Sequence, residues 1–350
     1  MFWYVLKHYA KNMLTVLFAL SFLFTGLDFL MANSSLPSFN IKVLYLFNRW
    51  QEALNLLYPL AIIFGAIWTK ISFIKNNTLV ALYSLGVSRE DLFKPLFTLA
   101  LFTYLLFVGL NFTQFALASD IANAIKKGKY NLSNTTDDMF FKYNNSFIYA
   151  QKLILSENRF EGLKIFKLKD GEIVELQEAK EALFKRANNY WLAKDVTIKK
   201  MADNKSRLEV LHKDTLITLK GYNPKILNSI YKNRKLTLYE SIIANRLLLE
   251  QGITTTKIRA DIYSKTIMPL FSIALLMILI FSFPYHARYL NMVLVTAQTL
   301  GGTLFIWGVL FALNRIGQNG VISPEIASIV PIVVLWIVGL YSYKRAKSRI

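Results

Sequence analysis

Residues Asn76–Pro95 read NNTLVALYSLGVSREDLFKP, and on either side lies an apolar run of membrane-spanning length. A connection between neighbouring helices usually needs about two to eight residues, so this stretch holds more than a turn. Asn77 or Thr78 can cap a short helix whose apolar face carries Leu79, Leu82 and Tyr83. Gly86 supplies a left-handed stop, and Ser88, with Asp91 three positions on, caps a second helix that runs past Lys94 into the next span. Two rigid helices at a sharp corner are either a segment lying flat on lipid or a handle for something outside the membrane.

The composition supports spans on both sides of that corner. The 350 residues are 54% hydrophobic with a mean hydropathy of +0.35, and only 18% are charged, where soluble domains carry about a quarter. Six windows are apolar enough to cross a hydrocarbon core about 30 Å thick, which takes roughly 20 helical residues. They run from Met13 to Ala32, Ala53 to Ile74, Pro95 to Leu117, Tyr263 to Phe283, Tyr289 to Leu313 and Pro324 to Tyr343. Lys7 and Lys11 precede the first run, but its length and the lack of a small-residue cleavage site make it an uncleaved span.

Basic residues orient the spans. With the N-terminus inside, the inner flanks hold Lys7, Lys11, Lys70, Lys75, Arg89, Lys94, Arg288, Lys344, Arg345, Lys347 and Arg349, against Lys42, Arg49 and Arg315 in the short outer loops. Both termini and the corner are therefore expected in the cytoplasm, with the long insert outside.

Within the insert the hydrophobic period shortens. SFIYAQKLI (Ser146–Ile154), GLKIFKLKDGEIVEL (Gly162–Leu176), YWLAKDVTIKK (Tyr190–Lys200) and LEVLHKDTLITL (Leu208–Leu219) read as strands, with turns at Asn144-Asn145 and Asp170-Gly171. An antiparallel domain of seven to nine strands is expected, as a sandwich, jelly roll or open barrel. LTLYESIIANRLLLEQGI (Leu236–Ile253) follows as an amphipathic helix, with Thr237 and Glu240 as a capping box and Gly252 as its stop.

The formal charge of +19 is spread rather than clustered: Ser119–Ile262 holds 26 Lys/Arg and 17 Asp/Glu, scattered singly. That is a solvated surface and gives no reason to expect nucleic acid. His8, His212 and His286 stand apart and fit no metal motif, the chain has no cysteine, and the one Gly-Lys pair, Gly128-Lys129, lacks the rest of a phosphate loop. No catalytic residue, metal or cofactor is expected on this chain. Asp28 and Lys70, inside the predicted spans, both lie near span ends and make no mid-depth ion pathway.

Three segments carry a resemblance. YPLAIIFGAIWTKISFIKNNTLVALYSLGVSREDL (Tyr58–Leu92), LTLYESIIANRLLLEQGITTTKIRADIYSKTIMPLFSIALLMILIFSF (Leu236–Phe283) and NGVISPEIASIVP (Asn319–Pro331) resemble, in that order, parts of the lipopolysaccharide-export permeases LptF/LptG, most of all the LptG type. FFKYNNSFIYAQKL and GLKIFKL are similar to the opening strands of that family's periplasmic jellyroll.

The resemblance implies a six-span, 3+3 membrane α-helical protein with an inserted periplasmic antiparallel β-jellyroll. Residues 1–118 would form one membrane block with a coupling helix at about 77–85, residues 119–259 the β domain with its short helix, and residues 260–350 the second block. It implies an inner-membrane subunit that pairs with a paralogous LptF-like permease, a dimeric cytoplasmic LptB-like ATPase and a membrane-anchored LptC-like periplasmic bridge. ATP would be used by the partner, and lipopolysaccharide would be the cargo.

Asn77, Thr78, Leu79, Leu82, Tyr83, Gly86, Ser88 and Arg89 would then serve ATPase coupling. Where relatives carry Ser-Glu-Leu, this chain has Asn77, Thr78 and Leu79, leaving Glu90 and Asp91 as the nearby acids. Phe22, Phe29, Leu30, Leu300 and Phe305 would neighbour acyl chains. Lys42, Arg49 and Arg315 would face lipid phosphate, and Asp28 is the only charge at the outer end of the first span. Phe147 and Ile165 would line the lipid path through the β domain. Gly301, Gly302 and Gly308 would allow close helix packing. A lipoprotein-release or mechanotransmission permease is the alternative, although its large domain usually follows the first span.

Overall fold

Val5, Tyr9, Met13, Leu17, Ser21 and Thr25 recur every four residues and form the buried stripe of helix α1 (Phe2–Ala32). Their partner is α2 (Phe39–Lys75), a helix of 37 residues, about 55 Å long, buried along most of its length. The computed structural model describes residues 1–128, 135–169, 172–201, 208–232, 235–282 and 291–347. Within these, α3 (Thr78–Ser84), α4 (Arg89–Leu110) and α5 (Ala118–Lys126) complete the first helical set. The second set is α8 (Thr256–Thr266), α9 (Phe271–Ser282), α10 (Met292–Gln318) and α11 (Pro324–Lys347).

Among the described residues, six segments are long and apolar enough to span a membrane: Phe2–Ser35, Phe39–Lys75, Arg89–Leu110, Thr256–Ser282, Val293–Gln318 and Pro324–Ala346. The first two extend well beyond the apolar runs that mark them in the sequence. Of the predicted fourth and fifth spans, positions 283, 289 and 290 lie outside the described residues, as do Asp170-Gly171, Lys129, His286, Arg288 and Arg349.

Residues 1–126 and 256–350 make one compact unit. Gly65 lets α1 and α2 meet closely: a Cβ there would stand 2.6 Å from the Met13 Cα. Around that contact the hydroxyl of Tyr9 donates to the Ile62 carbonyl at 3.0 Å, and the Asn12 amide donates to Thr69 at 2.9 Å. Asn55 of α2 and Asn111 after α4 exchange two hydrogen bonds, 3.1 and 2.9 Å. Apolar contact alone does little to hold helices together in lipid, so such polar ties and close approaches carry much of the specificity. The fourth span is two helices, broken by a 3₁₀ turn at Met268–Leu270, and Tyr104 of α4 donates to the Thr266 carbonyl at 2.8 Å beside the break.

Residues 127–255 make the other unit. Among the described residues it holds six strands rather than seven to nine: β1 (Thr135–Tyr143), β2 (Ser146–Ile154), β3 (Arg159–Lys169), β4 (Glu172–Lys185), β5 (Tyr190–Met201) and β6 (Leu208–Thr218). They pair in sequence order as an antiparallel meander, a jellyroll-like inserted domain. Strands of 9 to 14 residues replace a larger number of short ones; the ordinary length is about five or six. Asn144, with φ of 52°, makes the expected hairpin turn between Tyr143 and Ser146. Lys169 pairs with Glu172 across the other expected turn.

At one level of the sheet each strand leaves a residue out of the ladder: Asp138, Gln151, Gly162, Lys180, Asp195 and Asp214, opposite one another across all six strands. The inward face changes parity along this row. Buried positions on β3 are Phe160, then Leu163 and Ile165; on β5 they are Trp191 and Ala193, then Val196 and Ile198. The row is a crease in the sheet, made by positive φ at Asp138, Gly162 and Asp195 on alternate strands. Glycine is required at 162, because φ is +64° and a Cβ would meet Gln151 Oε1 at 2.8 Å.

Two further helices belong to this unit, α6 (Pro224–Lys232) and α7 (Leu238–Glu250). Thr136 of β1 bonds to Asn228 of α6 at 2.7 Å, and the Trp191 indole donates to the Tyr222 carbonyl at 2.6 Å. The Thr237/Glu240 capping box is present on α7. Its Gly252 stop is present too, with Ile253 N–H on the Leu248 carbonyl and Gly252 N–H on that of Leu249.

Candidate functional site

The corner within Asn76–Pro95 is formed by α3 and the start of α4. Asn77, with φ of 53°, turns the chain out of α2, and its side chain makes no capping bond to α3. After α3, Gly86 at φ +78° closes the helix: Gly86 N–H bonds to the Tyr83 carbonyl at 3.0 Å and Val87 N–H to that of Leu82 at 3.1 Å. Ser88 and Asp91 then form a full capping box for α4.

The apolar face named from the sequence points inward. Leu79 is 3% exposed, and half-buried Leu82 and Tyr83 pack against the same membrane core. The outward surface of α3 instead presents Val80, Ala81, Ser84 and Leu85, with Leu85 79% exposed. A helix needs its apolar stripe to bind its own spans first, so the stripe most visible in the sequence is the root of α3.

The start of α4 is tied to helices of the second set. Arg89 Nη1 donates to the Phe281 carbonyl of α9 at 3.2 Å, and the Tyr343 hydroxyl of α11 donates to Glu90 Oε1 at 2.9 Å. The Phe281 ring lies 5.3 Å from Phe93 and 5.0 Å, edge-on, from Tyr343. Lys70, buried near the end of α2, donates to the Leu279 carbonyl at 3.0 Å. Tyr343 and Phe281 lie about 190 to 250 residues from their partners, too far apart for any local spacing rule to pair them.

At the opposite ends of α1 and α2, Asp28 and Arg49 meet. Arg49 Nε donates to Asp28 at 2.7 Å, its Nη1 to Glu52 at 2.5 Å and its Nη2 to Asn123 of α5 at 3.1 Å. The Tyr45 hydroxyl also donates to Asp28, and Lys126 stands 3.8 Å from it. Arg49 is 8% exposed and held by two carboxylates, an arrangement that fastens α1, α2 and α5 together. Tyr45, Arg49 and Glu52 fall on one helix face at four- and three-residue steps, a signal present in the sequence that composition and charge counts do not bring out.

The other lipid candidates are dispersed. Phe22 is exposed on α1 and stacks on Trp50 at 5.7 Å; Leu30 is exposed and Phe29 half-buried. On α10, Phe305 is exposed, Leu300 packs partly on the core, and exposed Arg315 lies over the Phe311 ring. Lys42 is half-buried at the start of α2. A Cβ added at Gly301, Gly302 or Gly308 would meet nothing within 4 Å, so these glycines pack closely on no other helix among the described residues. Ile165 is buried in an apolar hollow with Leu163, Gln177, Ala179, Ala193, Val196 and Leu216. Phe147 lies on the other face, stacked on exposed Phe140 at 5.4 Å, because Ile148 is the residue paired with Ile165.

Six apolar segments and a β domain inserted between the third and fourth define a multi-pass membrane protein. A family model described as lipopolysaccharide export system permease LptF/LptG matches residues 3–345, and the chain belongs to that family. A search of curated proteins finds no match to it.

Proposed function

We propose that this chain is a permease subunit, of the LptG type, of an ATP-driven exporter that lifts lipopolysaccharide out of the inner membrane. Its termini and α3 face the cytoplasm, as the basic flanks favour, and its β domain faces the periplasm. A partner ATPase of the LptB kind supplies the stroke, a paralogous LptF-like permease completes the lipid cavity, and an LptC-like bridge receives the cargo. The observation that carries this reading is α3: a helix rooted in the membrane core by Leu79, Leu82 and Tyr83 that offers Val80 and Leu85 outward. An exposed apolar tip on a firmly seated corner suits a groove in a motor whose two states differ in contact with it.

The test places a charge on the tip. Val80→Asp/Leu85→Asp should leave the chain folded, because neither side chain is buried, while the ATPase no longer copurifies in mild detergent. Normal ATPase retention together with normal ATP-dependent lipid extraction in vesicles would sink the assignment. Leu82→Asp is a poorer probe, since Leu82 packs on the core. Along the β domain the lipid runs over the inward face. A photo-crosslinker at Ile165 is therefore expected to capture lipopolysaccharide and one at Phe147 is not; equal capture at both would argue against an inside route.

A further inference from the structure

The contacts at the start of α4 have a use beyond holding the fold. A stroke delivered to α3 reaches α2 and α4 directly, since α3 is joined to both by short corners. Moving a lipid also requires the second set of helices to respond. Arg89 is the first residue of α4, one past the Ser88 cap and three past Gly86, and its guanidinium is hydrogen-bonded to α9. Glu90, the next residue, accepts from Tyr343 of α11. Between these two bonds sits Phe281, its ring against both Phe93 and Tyr343.

We propose that Arg89, Glu90 and Tyr343, closed around Phe281, are a latch that makes the α3–α4 corner, α9 and α11 move as one body. Arg89 and its neighbours are thus positioning residues that pass the stroke on, rather than residues that touch the motor. The chemistry suits this role. A guanidinium on a backbone carbonyl and a phenol on a carboxylate are charge-assisted bonds, stronger than neutral ones and directional. The aromatic contacts exclude water and keep the partners in register. Lys70 adds a second donor to α9, from α2, at the Leu279 carbonyl. The latch rests on the reading of α3 as the motor's handle, and two separate measurements distinguish them.

The experiment uses the full chain with its copurifying ATPase and permease partner in lipid vesicles. The variants are Arg89→Gln/Tyr343→Phe and, as the conservative rescue, Arg89→Lys. For the double variant the ATPase should stay bound and hydrolysis should hold within about twofold, while lipid extracted per ATP falls at least about fivefold. Arg89→Lys should recover most of that ratio. Because the chain has no cysteine, spin labels can be set at Val80→Cys and Tyr341→Cys, both exposed. Their distance distribution should be narrow in the otherwise wild-type chain and clearly broader with the latch variant.

An unchanged extraction ratio, loss of the ATPase from Arg89→Gln/Tyr343→Phe, or an unchanged label distribution would each overturn the latch. If the wild-type chain brings down no ATPase, the handle reading fails, and the label distances, measured on the chain alone, still decide whether the latch exists.

Discussion

The most apolar 18-residue stretches of α2 and α10 have the same mean hydropathy, yet 78% of the one is buried against 11% of the other. The difference lies in what else each helix carries. α2 has Gly65 pressed on Met13, an asparagine exchanging bonds with α4's end, and an arginine held between carboxylates. α10 has three glycines with open space around them and exposed Phe305, Leu304 and Val309. Lipid tails and a protein core are equally apolar, so hydropathy says that a helix lies in the membrane and nothing about which of its sides meets protein. Close approaches and buried polar ties say that.

The contrast can be broken most forcefully at the charges. Arg49→Met should cost about 3–5 kcal/mol, because it leaves Asp28 and Glu52 without their shared cation. Arg315→Met on α10, whose side chain is exposed, should stay within about 0.5 kcal/mol. Thermal unfolding of the purified chain in mild detergent reads both, and comparable losses would mean that burial does not divide the two helices. A smaller effect is expected at the glycines. Gly65→Ala should destabilise by about 1–3 kcal/mol, since α1 and α2 must separate to admit the methyl group. Gly301→Ala should be neutral in the isolated chain, and a loss confined to the assembled complex would show what covers that face.

The smallest effect concerns a third kind of surface, the outward face of the β-sheet. There Lys164 and Lys199 flank Glu178, and the hydrogen bond from Lys199 holds its carboxyl below the ordinary value of 4.5. A depressed carboxylate stabilises the fold above its unfolded pKa and loses that contribution as pH falls through the folded one. Hydrogen exchange of β4 and β5 should therefore quicken slightly as pH drops below about 4.5, beyond the intrinsic change of rate. Lys199→Met should flatten that dependence, and an identical profile in the variant would remove the pair from the account.

Much of the α3–α4 corner was legible because its signals are local. Gly86, Ser88 and Asp91 lie close together in the chain, and each acts through backbone groups two to five residues away. The direction of the α3 stripe was not legible: Leu79, Leu82 and Tyr83 make an apolar face whether it meets a motor or the protein's own spans. In the β domain, the apolar character of both residues led to Phe147 being grouped with Ile165. Adjacent residues on a strand face opposite sides, and only the ladder shows that Ile148, not Phe147, is paired with Ile165. The crease hides the rest, since Asp138 and Asp195 adopt positive φ without a glycine to announce it.

By itself the sequence determined which segments are apolar enough to cross a membrane, where the β insert begins and ends to within several residues, how α3 stops, how α4 starts, and how α7 starts and stops. Those properties depend on hydropathy over about 20 residues or on capping within a single turn. Only the tertiary structure decided that α2 is the hub, that Arg49 belongs to Asp28 and Glu52, that the sheet is creased, and that Arg89 and Glu90 reach α9 and α11. Each of these depends on which distant surfaces meet, and an apolar or charged side chain is equally suited to many partners until packing selects one.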